Sequence, residues 1–338
     1  MKTFNRSLIA AIGMLLLLSA CSGGSSSDDN DNNTPAPNGR LYVSDFNANR
    51  IVSFFNANSV DGNMTPITSL EGANTTLDGP AGIAVDTLND YLYVANGRQN
   101  SIVVFHNAST VTGNIAPDRS ITGGSLNFPV DVAYDNSSDR LYVAGDHGVN
   151  IYDNASMQDG ATAPSRSITG QSIGSALFYE VASDRLFARH ASSIFVYDSA
   201  SSANGTHAAE VDRTLTGMAT NLSGGEGLFV DAQDRLYVSE RSSSESVLVW
   251  NNASIVDGNL APDRILAGAA TRFNSPEGLF IHPTTDELFV ANRSPRAVYV
   301  FSDADTLDGN IAPIRSVTGA ATQLTNQPIG LTVDITRD

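Results

Sequence analysis

The sequence predicts an all-β fold, a six-bladed β-propeller with four antiparallel strands per blade, on three observations. A Leu-aromatic-apolar core recurs six times at spacings of 45 to 52 residues, and self-similarity at that period marks a repeat architecture. Each copy holds four short β-branched or aromatic runs divided by Gly, Asn and Pro, with no helical periodicity. Every run type occurs six times with none left over, and four-stranded units of about 40–50 residues are propeller blades.

The chain opens with a different kind of segment. Lys2 and Arg6 precede an apolar run from Leu8 to Leu18, too short for a membrane span and shaped like a secretory signal over residues 1–20. Leu18-Ser19-Ala20-Cys21 resembles a bacterial lipobox. The resemblance implies that Cys21 becomes the mature N-terminus, lipidated on sulfur and on nitrogen, with palmitate among its chains. Several acyl chains anchor firmly where one binds marginally, so the membrane is the expected partner and the cell envelope the expected location. Ser22 rather than Asp follows the cysteine, which implies the outer membrane in a Gram-negative cell. The alternative is an ordinary secretory signal with a coincidental Cys. Residues 21–39 then read as the lipidated Cys and a flexible acidic tether, without the Gly and Glu spacing of a calcium loop.

The repeats fill residues 40–338. The second strand of each blade is carried by Leu41-Tyr42-Val43, Leu92-Tyr93-Val94, Leu141-Tyr142-Val143, Leu186-Phe187-Ala188, Leu236-Tyr237-Val238 and Leu288-Phe289-Val290. A third strand ends at Phe54, Phe105, Tyr152, Tyr197, Trp250 or Phe301, and Asn-Ala-type segments such as Asn56-Ala57 and Asn252-Ala253 follow. These read as N-caps of one helical turn. A turn around Gly62, Gly113, Gly160, Gly205, Gly258 or Gly309 leads to an outer strand, begun by Arg119, Arg166, Arg213, Arg264 or Arg315 in five copies. Those arginines are expected to pair with acids of a neighbouring strand or blade. The next blade's inner strand ends in Asp86, Asp135, Asp231 or Asp334, with Glu180 and His282 substituting. An acid there precedes a tight turn and is expected to accept backbone N–H bonds. Because the folded chain begins on a second strand and ends on an inner strand, the first and last segments should share one blade and close the ring without a disulfide.

Gly82-Ile83-Ala84-Val85-Asp86, then Leu92-Tyr93-Val94-Ala95-Asn96, then Ile102-Val103-Val104-Phe105, resembles the NHL-type repeat of six-bladed propellers. Leu41-Tyr42-Val43-Ser44-Asp45 with Asn49-Arg50-Ile51 resembles it further. The resemblance spans roughly residues 40–335 and implies architecture more than activity, since that fold hosts scaffolds, receptors and enzymes.

Composition narrows the partners. Beyond residue 20 the chain has 17 basic residues, all Arg, against 36 acidic ones. That balance excludes a phosphate-binding face for nucleic acid. A single cysteine excludes an internal disulfide and a Cys-based metal site. A monomer is expected.

Function in a propeller is expected where blades differ, at the channel mouth formed by loops entering the inner strand and leaving the second. One positional ring reads Ala81, Val130, Ser175, Glu226, Glu277, Ile329, and another Asp45, Asn96, Gly145, His190, Glu240, Asn292. Two consecutive blades thus concentrate Glu226, Glu240, Glu277 and Asn292, with His190 before them and Asp131 in a position otherwise mostly glycine. This set would suit Ca²⁺, which takes six to eight oxygens, with Glu226 and Glu277 as metal ligands, or a cationic or polyhydroxy ligand. The alternative is a hydrated acidic rim, or pairing with Arg189, Arg241 and Arg293. His106, His147, His190, His207 and His282 do not converge by register on a zinc site, and no Ser/His/Asp set lines up. The first reading is a non-catalytic module binding a protein, peptide or glycan at the envelope. The second is a divalent-metal-dependent hydrolase or lyase, lactonase-like.

Overall fold

A computed structural model describes residues 39–123, 125–242 and 244–337. Cys21, the signal and nearly all of the tether lie outside the described residues. The strands form six sheets, each of four antiparallel strands, and two of them gain a short fifth strand paired in parallel. The blades begin on the inner strands Pro328–Asp334, Pro80–Asp86, Asp131–Asp135, Ala176–Glu180, Leu228–Val230 and Pro276–His282, here numbered blades 1 to 6.

Blade 1 carries the closure. The strand Pro328–Asp334 pairs antiparallel with Arg40–Asp45, in the register Leu41 to Val333 and Val43 to Leu331. The sheet continues through Arg50–Phe54 to Thr68–Glu71. Alternate residues of each strand point to opposite faces, so every blade offers two apolar faces to its neighbours. Six buried clusters result, one between each pair of adjacent blades. Leu41, Val43, Val52 and Phe54 of blade 1 meet Phe289, Val298 and Val300 of blade 6, and Leu236, Leu248 and Trp250 of blade 5 meet Phe187, Ile194 and Val196 of blade 4. Among the described residues each buried cluster joins two blades, so closing the ring buries the faces of the first and last.

A second, outer belt joins the blades. The glycine turns that precede the outer strands reach back to the outer strand of the preceding blade. Gly62 pairs in parallel with Val317, Gly113 with Leu70, Gly258 with Leu215 and Gly309 with Leu266. Gly160 and Gly205 do the same at Ile121 and Ile168. Flanking side chains cap the junction. The N–H of Ile265 donates to Asp308 Oδ1 at 2.9 Å and that of Ala270 to Asn310 Oδ1 at 2.7 Å, and Asp61 and Asn63 receive Ser316 and Ala321 in the same way.

The repeated polar residues are mostly structural. The inner-strand acids accept turn N–H groups as expected: Asp86 from Leu88 and Asn89, and Asp231 from Gln233 and Arg235. The Asn-Ala segments differ from expectation. Three of them form single turns of 3-10 helix, at Ala57–Ser59, Ala155–Met157 and Ala253–Ile255, but Asn56, Asn154 and Asn252 before them make no side-chain cap. They stand at φ of 56°, 50° and 58°, a left-handed conformation that Asn tolerates. The cap comes from elsewhere in the blade: Asp139, Asp184 and Asp234 each accept the N–H and the hydroxyl of Ser156, Ser201 and Ser254. The outer-strand arginines divide. Arg166, Arg213 and Arg315 pair with Asp153, Asp198 and Glu287 of their own blades. Arg119 and Arg264 instead donate to carbonyls of the turn that follows the next blade's third strand, at Ala155 and Ala304.

Candidate functional site

The positional ring at the ends of the second strands holds up the mouth. Asp45 accepts the N–H groups of Thr325 and Asn326 at 2.7 and 2.9 Å. Asn96 accepts that of Asp78 at 2.6 Å, and Asn292 that of Asn274 at 2.9 Å. Glu240 accepts from Ser223 and Gly224 at 2.9 and 3.0 Å. All four side chains are buried and pin the loop that enters their own inner strand. Glu240 also pairs with Arg189 of blade 4 in a contact where neither side chain is exposed. His190 lies beside Gly174, with its Nδ1 buried and unpartnered among the described residues.

The other ring forms the mouth itself. Glu226, Arg241 and Arg293 line a recess of about 250 Å³ on the side of blades 5 and 6. Phe46, Ala81, Phe128, Val130 and Ile329 line the opposite side, from blades 1 to 3. Arg241 Nη1 donates to Glu226 Oε1 at 2.5 Å and to Glu277 Oε1 at 3.2 Å. Arg293 Nη1 reaches the same Glu277 oxygen at 3.4 Å. Glu277 is fully buried and its Oε2 has no partner among the described residues. Burial pushes its carboxyl up to about 8, Glu226 adds to the rise, and Arg241 and Arg293 pull the other way.

Asp131 sits just inside. Neighbouring inner strands approach so closely at this level that a Cβ on Gly330 would lie 2.3 Å from the Ala81 carbonyl oxygen, so glycine is required there. Asp131 instead reaches across to blade 4, its Oδ2 accepting the Leu177 N–H at 2.7 Å and its Oδ1 the Val132 N–H at 2.9 Å. Burial raises its carboxyl to about 7, the two N–H bonds oppose that, and Glu226 adds to it. Below, a channel of about 210 Å³ is walled by Phe178, Phe229 and Phe280 on blades 4 to 6 and by Ala84, Ala133 and Thr332 opposite. The phenylalanine rings step around the wall at centroid separations of 4.8 and 5.3 Å.

The structure therefore brings Glu226, Glu277 and Asp131 to one mouth and sets Glu240, Asn292 and His190 into its supporting wall. A Ca²⁺ site does not fit these residues. The guanidinium of Arg241 already lies between the two glutamates, and Asn292 and Glu240 spend their oxygens on backbone N–H groups, leaving far fewer than six free oxygens. Among the described residues no group of three or more His, Cys, Asp or Glu is placed to hold a metal ion. Phe46 and Phe128 escaped the sequence reading. Their signal was there in register: Phe46 follows Asp45 where other blades carry Gly97, Asp146, Ala191, Arg241 or Arg293.

Fold and site together define a six-bladed β-propeller with a charge-balanced mouth. The chain is similar in structure to a chain of a nidogen/laminin complex, with TM-score 0.61 and 12% identity over 89% of this chain and all of the other. It is also similar to a candidate 6-phosphogluconolactonase from Bacteroides fragilis NCTC 9343, with TM-score 0.54 and 14% identity over 90% of this chain and all of that one. At these identities the likeness is one of fold. No protein-family model matches the chain, and no curated protein matches its sequence.

Proposed function

We propose that this chain is an NHL-like propeller lipoprotein, held at the cell envelope through Cys21, whose mouth binds a protein, peptide or glycan without catalysis. One observation carries the reading. Arg241 bridges Glu226 and Glu277, so the acids that a metal-dependent hydrolase would spend on an ion are instead occupied by the protein's own guanidinium. A recess walled by aromatic, aliphatic and charged groups is a recognition surface. The likeness to a chain of the nidogen/laminin complex agrees with a partner-binding use of the fold. Calorimetric titration with Ca²⁺, paired with a lactone-hydrolysis assay, tests the reading: neither saturable heat nor turnover is expected. Ca²⁺-dependent hydrolysis that disappears in Glu277→Ala would overturn it in favour of a lactonase-like enzyme. The anchor is checked separately by labelled palmitate, expected on the wild-type chain and absent from Cys21→Ser.

A further inference from the structure

The mouth is divided by chemistry as well as by blade. On one wall the rings of Phe46 and Phe128 meet edge to face, 6.5 Å between centroids, above Val130 and Ile329. Phe128 is 38% exposed and stands at φ 46°, a left-handed conformation that is costly for a bulky residue and gathers at ligand-holding sites. The Asn100 side chain fixes it there by accepting the Phe128 N–H at 2.8 Å. The Arg98 guanidinium lies 4.5 Å over the ring of Phe46, which holds that ring at the rim as well.

On the other wall donors outnumber acceptors. Arg241 and Arg293 have side chains 32% and 37% exposed and bring five N–H donors each. They share one oxygen of Glu277, over the long distances of 3.2 and 3.4 Å. The only other acid on them is Glu226, which takes Arg241 alone among the described residues. Two adjacent guanidiniums with spare donors facing a recess are the arrangement that accepts a carboxylate in bidentate fashion.

We propose that the mouth recognises a carboxylate joined to an aromatic or branched apolar body, the carboxylate on Arg241 and Arg293 and the body against Phe46, Phe128, Val130 and Ile329. The inference rests on the binding-module reading and names the ligand chemistry of that same site. A recess of about 250 Å³ lies below the usual range for drug-sized ligands, so it suits one small acid or one terminal residue. The shared chemistry has two sources, a free aryl-alkanoic acid or the C-terminal residue of a peptide.

Titration calorimetry of the purified chain at pH 7 separates them. The probes are 3-phenylpropionate and the peptide acetyl-Ala-Ala-Phe, each beside its uncharged amide. At least one acid is expected to bind saturably, at least tenfold tighter than its amide. Binding by the peptide alone assigns a C-terminus, and by 3-phenylpropionate alone a free acid. Arg293→Gln should weaken the acid at least tenfold, and Arg293→Lys, which keeps the charge but loses the planar fork, should weaken it less. Glu277→Gln mimics the protonated carboxyl that burial favours at this pH, so it should leave acid binding within about twofold of the wild type. Failure of both acids, equal binding of acids and amides, or an unchanged affinity in a folded Arg293→Gln would overturn the proposal. Those failures leave the binding-module reading standing, because that reading falls only to Ca²⁺-dependent lactone hydrolysis.

Discussion

Replacing Glu277 by Gln should change the protein's stability at high pH and leave it nearly untouched at low pH. The buried carboxyl is pushed from an ordinary value of 4.5 up to about 8, chiefly by burial, then by Glu226, against the pull of Arg241 and Arg293. Below pH 4.5 the group is protonated in both folded and unfolded chains and contributes nothing. Between 4.5 and 8 the unfolded chain has released the proton and the folded chain still holds it, so stability falls as pH rises. Above pH 8 the loss is complete. At about 1.4 kcal/mol per pH unit, that gap corresponds to about 5 kcal/mol at most. Glutamine mimics the protonated side chain and carries no such penalty. Urea denaturation of both proteins at pH 4.5 and pH 9 reads the effect, because all other titrations cancel in the comparison. The variant should match the wild type within about 1 kcal/mol at pH 4.5 and exceed it by several at pH 9. A gap of the same size at both pH values would refute the reasoning. So would a variant less stable at pH 9, since it would mean that the ionised Glu277 between two arginines is a net stabiliser.

Three further perturbations probe the scaffold beneath the mouth. Arg189→Ala leaves Glu240 buried without its charge partner and should cost about 3–5 kcal/mol; the double variant Arg189→Met with Glu240→Gln should recover much of that in the same denaturation assay. Gly330→Ala would put a Cβ 2.3 Å from the Ala81 carbonyl oxygen and 2.9 Å from Ser44 Oγ, so prising blades 1 and 2 apart should lower stability by about 1–3 kcal/mol. Asn310→Ala removes the acceptor for the Ala270 N–H and should cost about 1 kcal/mol, as loss of a cap does, with hydrogen exchange faster at that amide.

The strands were legible because their information is local. Alternation within Leu92-Tyr93-Val94 or Leu236-Tyr237-Val238 and the punctuation between runs repeat in every blade, and the missing first strand at the N-terminus foretold closure through Pro328–Asp334. The outer belt was not legible. Gly62 and Val317 lie at opposite ends of the chain, and a single parallel bridge leaves no pattern in either segment. The same limit explains the Asn-Ala turns: Asn56 and Asn252 look like caps from their neighbours in sequence, whereas Asp234, which holds Ser254, belongs to a different hairpin.

For the site, register showed which blades carry the acids but not what each acid faces. Asp45, Asn96, Glu240 and Asn292 share a position and a task, pinning the entering loop, and a task common to most blades is structural. Glu277 and Glu226 differ from their counterparts in the ring, and their meaning turns on Arg241, a residue whose side chain crosses from the second strand of blade 5 to blade 6. Much of the acidity has the same local explanation. Asp86, Asp139, Asp231, Asp308 and their repeats are spent on backbone N–H groups, which is work for a carboxylate whatever the protein binds.

The central claim is that arginine, not a metal ion, occupies the mouth acids. The most direct measurement is a crystal structure of the protein grown in millimolar CaCl2. The account predicts Arg241 lying between Glu226 and Glu277, Arg293 against Glu277, and no ion among them. A calcium ion held by Glu226 and Glu277, with Arg241 swung out of the recess, would contradict it.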